Sequence, residues 1–195
     1  MAKRDLEFLY EIGSLRNIPR AWIQYLATDC ASTLEHTLRV VFIALLIARR
    51  EKAADEGKII KMALIHDLPE TRTADLAYVH KVYTKSDDAR AAKDMFAGTA
   101  FGDLEKLLEE YEARESLEAK IVKDADNLDI DIELRELVER GNEVAKKKLP
   151  LRSLIREQKL YTKTAKKLWD EIQTSDPSRW HLSANKWLKD PRAGR

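Results

Sequence analysis

The stretch Ile59-Ile60-Lys61-Met62-Ala63-Leu64-Ile65-His66-Asp67-Leu68, closed by Pro69, decides the fold. Ile59, Met62 and His66 fall on one face at helical spacing, and Ile60, Ala63 and Asp67 on the neighbouring face. The pattern predicts a helix from Asp55 or Lys58 to Leu68, buried on one side. Proline disfavours helical geometry at the residue before it, so His66 and Asp67 occupy the last turn. An imidazole beside a carboxylate at the end of a buried helix is one way to write a metal site into a chain.

The residues before this stretch supply a further donor. Ser32-Thr33-Leu34-Glu35 matches a capping box and predicts a helix starting near Thr33, with His36 in its first turn. Val40, Ile43 and Ile47 follow His36 at helical spacing and turn the imidazole inward, while Leu34, Leu38, Val41 and Leu45 form a second apolar stripe. Apolar residues recur at three and four elsewhere too, with only six glycines and five prolines, so the chain reads as all-α. Further helices are expected over Arg4 to Ile12, Asp87 to Phe101, Asp103 to Tyr111, Ser116 to Arg140 and Arg152 to Ile172, with a short one over Ser178 to Leu188. Arg20-Ala21-Trp22 falls in a connection, Glu70 to Tyr83 reads as a functional loop with short helical pieces, and 191–195 is a tail.

In the Ser116 to Arg140 helix one stripe carries Leu117, Ile121, Leu128 and Ile132, and another carries Ala119, Val122, Asp126 and Ile130. Asp124 and Asp126 both lie beside apolar stripes, so helical phase does not choose between them; Asp129 and Asp131 read as solvated or capping acids. A lone histidine on an apolar face is ordinarily a hydrogen-bonded core residue. His36, His66-Asp67 and a later buried acid together satisfy what a divalent ion needs, several neutral imidazoles and carboxylates converging from different helices.

Length and charge bound the rest. A chain of 195 residues is read as one domain, residues 1–190, able to bury a core without disulfides. A net charge of +1 gives no global reason for a nucleic-acid partner, and Lys146-Lys147-Lys148 reads as a solvated face or loop edge. The longest apolar run, Val40 to Ala48, is far short of the ~20 residues of a membrane span, and Arg39, Arg49 and Arg50 flank it. A single cysteine, Cys30, and an N-terminus that turns acidic early make the cytoplasm the expected compartment.

The constellation resembles the HD-domain superfamily, whose pattern is a His, a His-Asp pair and a distant Asp around one metal in a helical bundle. Leu34-Glu35-His36-Thr37, His66-Asp67-Leu68-Pro69-Glu70, Thr73-Ala74-Asp75-Leu76 and Ile121-Val122-Lys123-Asp124-Ala125-Asp126 look like successive motifs of the YfbR-type 5'-deoxynucleotidases and their eukaryotic relatives. The similarity spans roughly residues 15–134, and helices over 152–188 add little to it. The resemblance implies His36, His66, Asp67 and Asp126 as ligands of one divalent ion, Mn2+, Co2+ or similar, with Asp126 taken because the family pattern Val-Lys-x-x-Asp ends on it. It implies that Glu70 assists the attacking water and that Arg20, Trp22 and Asp75 bind substrate. Two departures lie in the loop: Ala74 stands where the family has glycine, and Ala77-Tyr78-Val79-His80 replaces a Thr-Pro. The implied function is metal-dependent hydrolysis of nucleoside, specifically deoxynucleoside, 5'-monophosphates by a homodimer. The alternatives are another phosphorylated small molecule or signalling nucleotide as substrate, or a binding module without turnover.

Overall fold

The computed structural model describes residues 4–52 and 55–183. The expected tail over 191–195, and residues 184–188 of the expected last helix, lie outside the described residues. In chain order the elements are α1 (Asp5–Gly13), a 3₁₀ turn (Ser14–Asn17), α2 (Ile23–Leu26), α3 (Thr33–Glu51), α4 (Glu56–Ile65), α5 (Glu70–Thr73), α6 (Tyr78–Lys81), α7 (Asp88–Phe96), α8 (Leu104–Ala113), α9 (Leu117–Glu139), α10 (Glu143–Lys148), a second 3₁₀ turn (Leu149–Arg152), α11 (Ser153–Gln158), α12 (Lys163–Thr174) and α13 (Arg179–Ser183). Among the described residues no strand forms, and an isolated bridge joins Pro19 to Ser32.

The helix starts are written locally. Ser32 accepts from the Glu35 amide while the Glu35 carboxylate accepts from the Ser32 amide at 2.7 Å, the reciprocal capping box expected for α3. Asp55 caps α4 and Ser116 caps α9 by the same side-chain-to-backbone logic. Helix α9 runs through the middle of the molecule and packs against α3, α4, α8, α10 and α12. Val40, Ala44 and Ile47 of α3, Ile59 and Met62 of α4, and Ile121, Val122, Ala125 and Leu128 of α9 are wholly buried in that packing. Each large aliphatic side chain among them contributes about 1.5–3 kcal/mol over an exposed position, which holds the ends of α3 and α4 against α9 where the histidines lie.

Several expectations are corrected by packing. Helix α4 ends at Ile65 rather than Leu68, and His66 to Pro69 form a turn that leads directly into α5. The helix expected to reach Phe101 stops at Phe96, because Ala97 leaves helical geometry and Gly98 sits at φ +72°. The single long helix expected over Arg152 to Ile172 is two helices, α11 and α12. The break has a chemical cause: the Asp124 carboxylate accepts from the backbone amides of Tyr161 and Thr162, at 2.7 and 2.8 Å, and from the Thr162 hydroxyl at 2.7 Å. Tyr161, at the break, is exposed. The second apolar stripe of α3 divides, with Val41 buried while Leu34 and Leu38 face outward beside exposed Phe42 and Leu46.

Candidate metal centre and substrate pocket

The first turn of α3 and the end of α4 bring two imidazoles together. His36 is wholly buried and His66 nearly so, and the two rings lie 5.4 Å apart between centroids. One donor atom each of His36, His66 and Asp67 lies within 4.8 Å of the others. The Nε2 atoms of His36 and His66 are 3.4 and 3.2 Å from Asp67 Oδ2, and His36 Nε2 is 3.3 Å from Asp126 Oδ1. Neither buried Nε2 is aligned for a hydrogen bond with any described group.

The opposite nitrogens explain this alignment. Nδ1 of His36 lies 2.5 Å from Asp129 Oδ2, and Nδ1 of His66 lies 2.7 Å from the carbonyl of Ala63. Both partners are acceptors, so each Nδ1 carries its proton and donates, which leaves the Nε2 lone pairs pointing at the same space. Buried lone pairs without partners, converging beside carboxylate oxygens, fit a divalent cation and little else. Burial alone would lower the His36 pKa, but the neighbouring Asp126, Asp129 and Asp67 oxygens outweigh it and hold it well above the usual imidazole range. The site stabilises positive charge at that nitrogen.

The two acids left open by helical phase have separate fates. Asp124 is turned toward the Tyr161-Thr162 break, whereas Asp126 faces His36 with one oxygen and receives Lys123 Nζ at 2.6 Å on the other. Despite burial, Lys123 and His36 keep the Asp126 carboxyl well below the ordinary range. Asp67 is likewise held low, with burial overcome by His66, His36 and Arg20.

Asp129 and Asp131, expected as solvated or capping acids, are buried. Asp129 accepts from His36 and from Arg39 Nε, and Asp131 receives Arg152 through Nε at 2.9 Å and Nη2 at 3.0 Å. A signal for Asp129 exists in the chain, because it follows Asp126 by three residues on a helix. Asp131 could not be assigned that way, since its partner comes from the 3₁₀ turn after α10.

Arg20 reaches the cluster from the turn before α2. Its Nη1 lies 3.1 Å from Asp67 Oδ2 and 4.0 Å from Glu70 Oε2, while Nε lies 3.4 Å from Asp75 Oδ2. Burial opposes its charge, but these acids together raise its pKa. Asp75 also accepts from the Ala21 amide at 2.9 Å, and Glu70 accepts from the Thr33 hydroxyl at 3.3 Å. Burial, followed by the charges of Asp67 and Asp75, pushes the Glu70 carboxyl up to about 9. Ala74, where the related motif has glycine, sits at φ +61°, ψ 158°, a strained conformation for an L residue that aims Asp75 back at Arg20.

Arg20, His66, Asp67, Glu70, Asp75, Lys123 and Asp126 line one cavity of about 810 Å³. His66, Asp67, Glu70 and Asp126 lie at one end, and Trp22, Tyr78, Lys148, Leu151, Leu154 and Ile155 also line it. Arg114 stacks 3.4 Å from the Tyr111 ring centre, with a buried Nη1 that has no described partner. Lys148 corrects the solvated-face reading of 146–148: its ammonium lies 4.0 Å from the Trp22 ring centre and 5.3 and 5.2 Å from those of Tyr25 and Tyr78. Burial, then Arg152, lowers its pKa. Trp22 is therefore not a bare wall, because a cation covers one face. Among the described residues no helix is long and apolar enough to cross a membrane.

Comparison with known proteins places this geometry. The chain is 33% identical over 142 residues to 5'-deoxynucleotidase HDDC2 of Danio rerio, covering 69% of this chain and 70% of the relative. It is 28% identical over 156 residues to the Dictyostelium discoideum protein of the same name, covering 73% and 82%. A conserved hypothetical protein of Pyrococcus furiosus superposes with a TM-score of 0.73 at 29% identity, over 87% of this chain and 99% of that one. A structure from Magnetospirillum magnetotacticum described as a predicted metal-dependent phosphohydrolase has the same fold, with a TM-score of 0.65 at 22% identity over 86% and 90%. The HD domain family matches residues 12–173, and the chain belongs to that family.

Proposed function

We propose that this protein is a metal-dependent phosphomonoesterase acting on deoxynucleoside 5'-monophosphates. The observation that carries the reading is the convergence of the two unpartnered Nε2 atoms and Asp67 at one end of a cavity large enough for a nucleotide. His36, His66 and Asp67 would hold one divalent ion, Mn2+ or Co2+ among those such donors accept, with Asp126 as the fourth ligand. That ion supplies Lewis acidity toward a phosphate oxygen and makes water a better nucleophile.

The chain's own groups do the remainder. Glu70, whose carboxylate accepts from the Thr33 hydroxyl and which a bound cation beside Asp67 would hold ionised, takes the proton of the attacking water and returns one to the departing 5'-oxygen. Arg20, held by Asp67 and Asp75, presents its remaining donors to the phosphate, and Lys123 and Arg114 add positive charge to the same cavity. Asp75 and Trp22 border the space for the sugar and base. The names of the relatives from Danio rerio and Dictyostelium discoideum support a deoxynucleotide. The same reading places the protein in the cytoplasm as a homodimer without a nucleic-acid partner. The outward row of Leu34, Leu38, Phe42 and Leu46 on α3, at four-residue intervals, supports a second copy as occupant.

The test is phosphate release from deoxynucleoside monophosphates after reconstitution with Mn2+ or Co2+. Release is expected, falling roughly 10³-fold in His66→Ala and in Asp67→Ala. A wild-type protein that takes up the ion and releases no phosphate from any of them would overturn the reading.

A further inference from the structure

The far end of the cavity is built around an ammonium that the chemistry above leaves without a role. Lys148 ends α10, whose place is set from both sides. Asn142, its cap, donates to the Leu26 carbonyl of α2 at 3.0 Å, and Ala145 and Leu149 pack with Leu26, Leu134 and Leu137. This anchoring brings Lys148 against the rings of Trp22, Tyr25 and Tyr78, with the two tyrosine rings 6.0 Å apart. Ring faces attract a cation without accepting a directed hydrogen bond from each of its three N–H groups. Among the described residues Lys148 forms no ion pair and no hydrogen bond with a carboxylate or carbonyl, whereas neighbouring Arg152 is tied to Asp131 and the Asn127 carbonyl. The ammonium is thus held in place with donors free.

Its surroundings define what those donors can meet. Leu151, Leu154 and Ile155 make the adjoining wall apolar, which suits a planar ring and disfavours a second phosphate. Arg20 and Trp22 stand two residues apart and line the same cavity as Lys148, so a single molecule in it can meet both the donor cluster and the cage. A nucleotide extended along the cavity with its phosphate at that cluster would turn the base edge farthest from the sugar toward the cage. On that edge thymine, uracil and guanine carry an oxygen acceptor, while cytosine and adenine carry an amino donor. An ammonium can only donate.

We propose that Lys148 is a specificity-determining residue that hydrogen-bonds the oxygen at position 4 of a pyrimidine or position 6 of a purine, so that oxo bases bind better than amino bases. This rests on the nucleotide reading of the pocket. Uracil and cytosine differ only on this edge, in the group at position 4 and the proton on N3, and deoxyribose 5-phosphate lacks the base altogether, so dUMP, dCMP and deoxyribose 5-phosphate separate the assignment from a general effect on the site.

The wild type is expected to show a KM for dUMP about tenfold below that for dCMP. Lys148→Met should raise the dUMP value to the dCMP value with kcat unchanged, and leave both constants for deoxyribose 5-phosphate unchanged. Lys148→Arg, which keeps the donors, should restore part of the preference. Equal KM values for dUMP and dCMP in the wild type would overturn the assignment. So would an equal loss on all three substrates in Lys148→Met, which marks a structural role. Should the wild type release phosphate from none of them, the phosphatase reading fails, and binding of 2'-deoxyuridine decides the Lys148 assignment: equal affinity for wild type and Lys148→Met overturns it.

Discussion

The two ends of the cavity are built by opposite means. At the donor end three of the groups are fixed by a second partner from the long helices: His36 by Asp129, His66 by the Ala63 carbonyl, and Asp126 by Lys123. At the far end the wall comes from short pieces, α2, α6, the second 3₁₀ turn and α11, and much of it is exposed, including Tyr78, Leu151 and Leu154. The buried Arg152–Asp131 pair is the ionic tie between that wall and α9, beside the packing of Leu26 and Leu149 on Leu134 and Leu137. Reaction chemistry tolerates little displacement of its donors, whereas recognition of a base is free to vary with a few side chains on short elements. One rigid end and one adjustable end on a single cavity are consistent with that division of labour.

The contrast can be broken most severely at the tie between the ends. Asp131→Ala leaves the buried Arg152 guanidinium uncompensated and is expected to cost about 3–5 kcal/mol of stability, read as a lower urea midpoint at unchanged slope. Asp131→Asn, which retains a hydrogen-bond acceptor, should cost less. A midpoint unmoved in both variants would show that the far wall is held by packing alone.

At the donor end the largest effect outside the donor cluster is expected from Asp129→Asn. Weakening the acceptor of the His36 Nδ1 proton should reduce divalent-ion affinity by about 10–100-fold with little change in the far-ultraviolet circular dichroism. Titration calorimetry reads this directly, and an unchanged affinity would remove Asp129 from any role in orienting His36.

Proton linkage separates the two ends further. The His36 pKa is raised in the ion-free protein, so below that pKa a proton must leave Nε2 before an ion can bind. Ion affinity should therefore rise with pH, by up to about tenfold per unit for one released proton, and level off once His36 is neutral. Proton release measured by calorimetry in buffers of different ionisation enthalpy checks the sign. Glu70 adds a complementary effect on stability. With its folded pKa near 9 and thus above that of the unfolded chain, the folded state binds the extra proton, and ion-free stability falls as pH rises from about 5 to 9. Glu70→Gln should flatten that slope.

The smallest expected effect lies between the two ends. Ala74 holds a conformation suited to glycine, so Ala74→Gly should relieve strain and stabilise the fold by about 1 kcal/mol. The same change frees the segment that aims Asp75, and a rise in KM accompanying the gain in stability would show that the strain serves substrate positioning.

How much of this was legible in the chain follows from which interactions are local. Helix class, the capped start of α3, the placing of His36 on a buried helix face and the place of His66-Asp67 near a helix end depend on residues within a few positions of one another. The break around Pro69 was legible for the same reason, although the helix before it ends at Ile65 and Pro69 only caps the next one. Other assignments went astray where a distant partner intervened. Asp124 broke a helix about 37 residues later in the chain, and its carboxylate is thereby committed to Tyr161 and Thr162. Asp131 looked solvated until Arg152 closed on it, and Lys148 looked like part of a charged surface until α10 docked against α2.

By itself, then, the sequence determined that this chain is a helical protein with imidazoles and a carboxylate at buried helix ends, because periodicity, caps and the Pro69 stop act over one or two turns. Only the tertiary structure decided which acid of α9 faces His36, which acids support it, and which lysine enters the cavity. Residues 124 and 126 point about 200° apart around a helix, and the direction that is the interior exists only once α3, α4 and α12 have packed around α9.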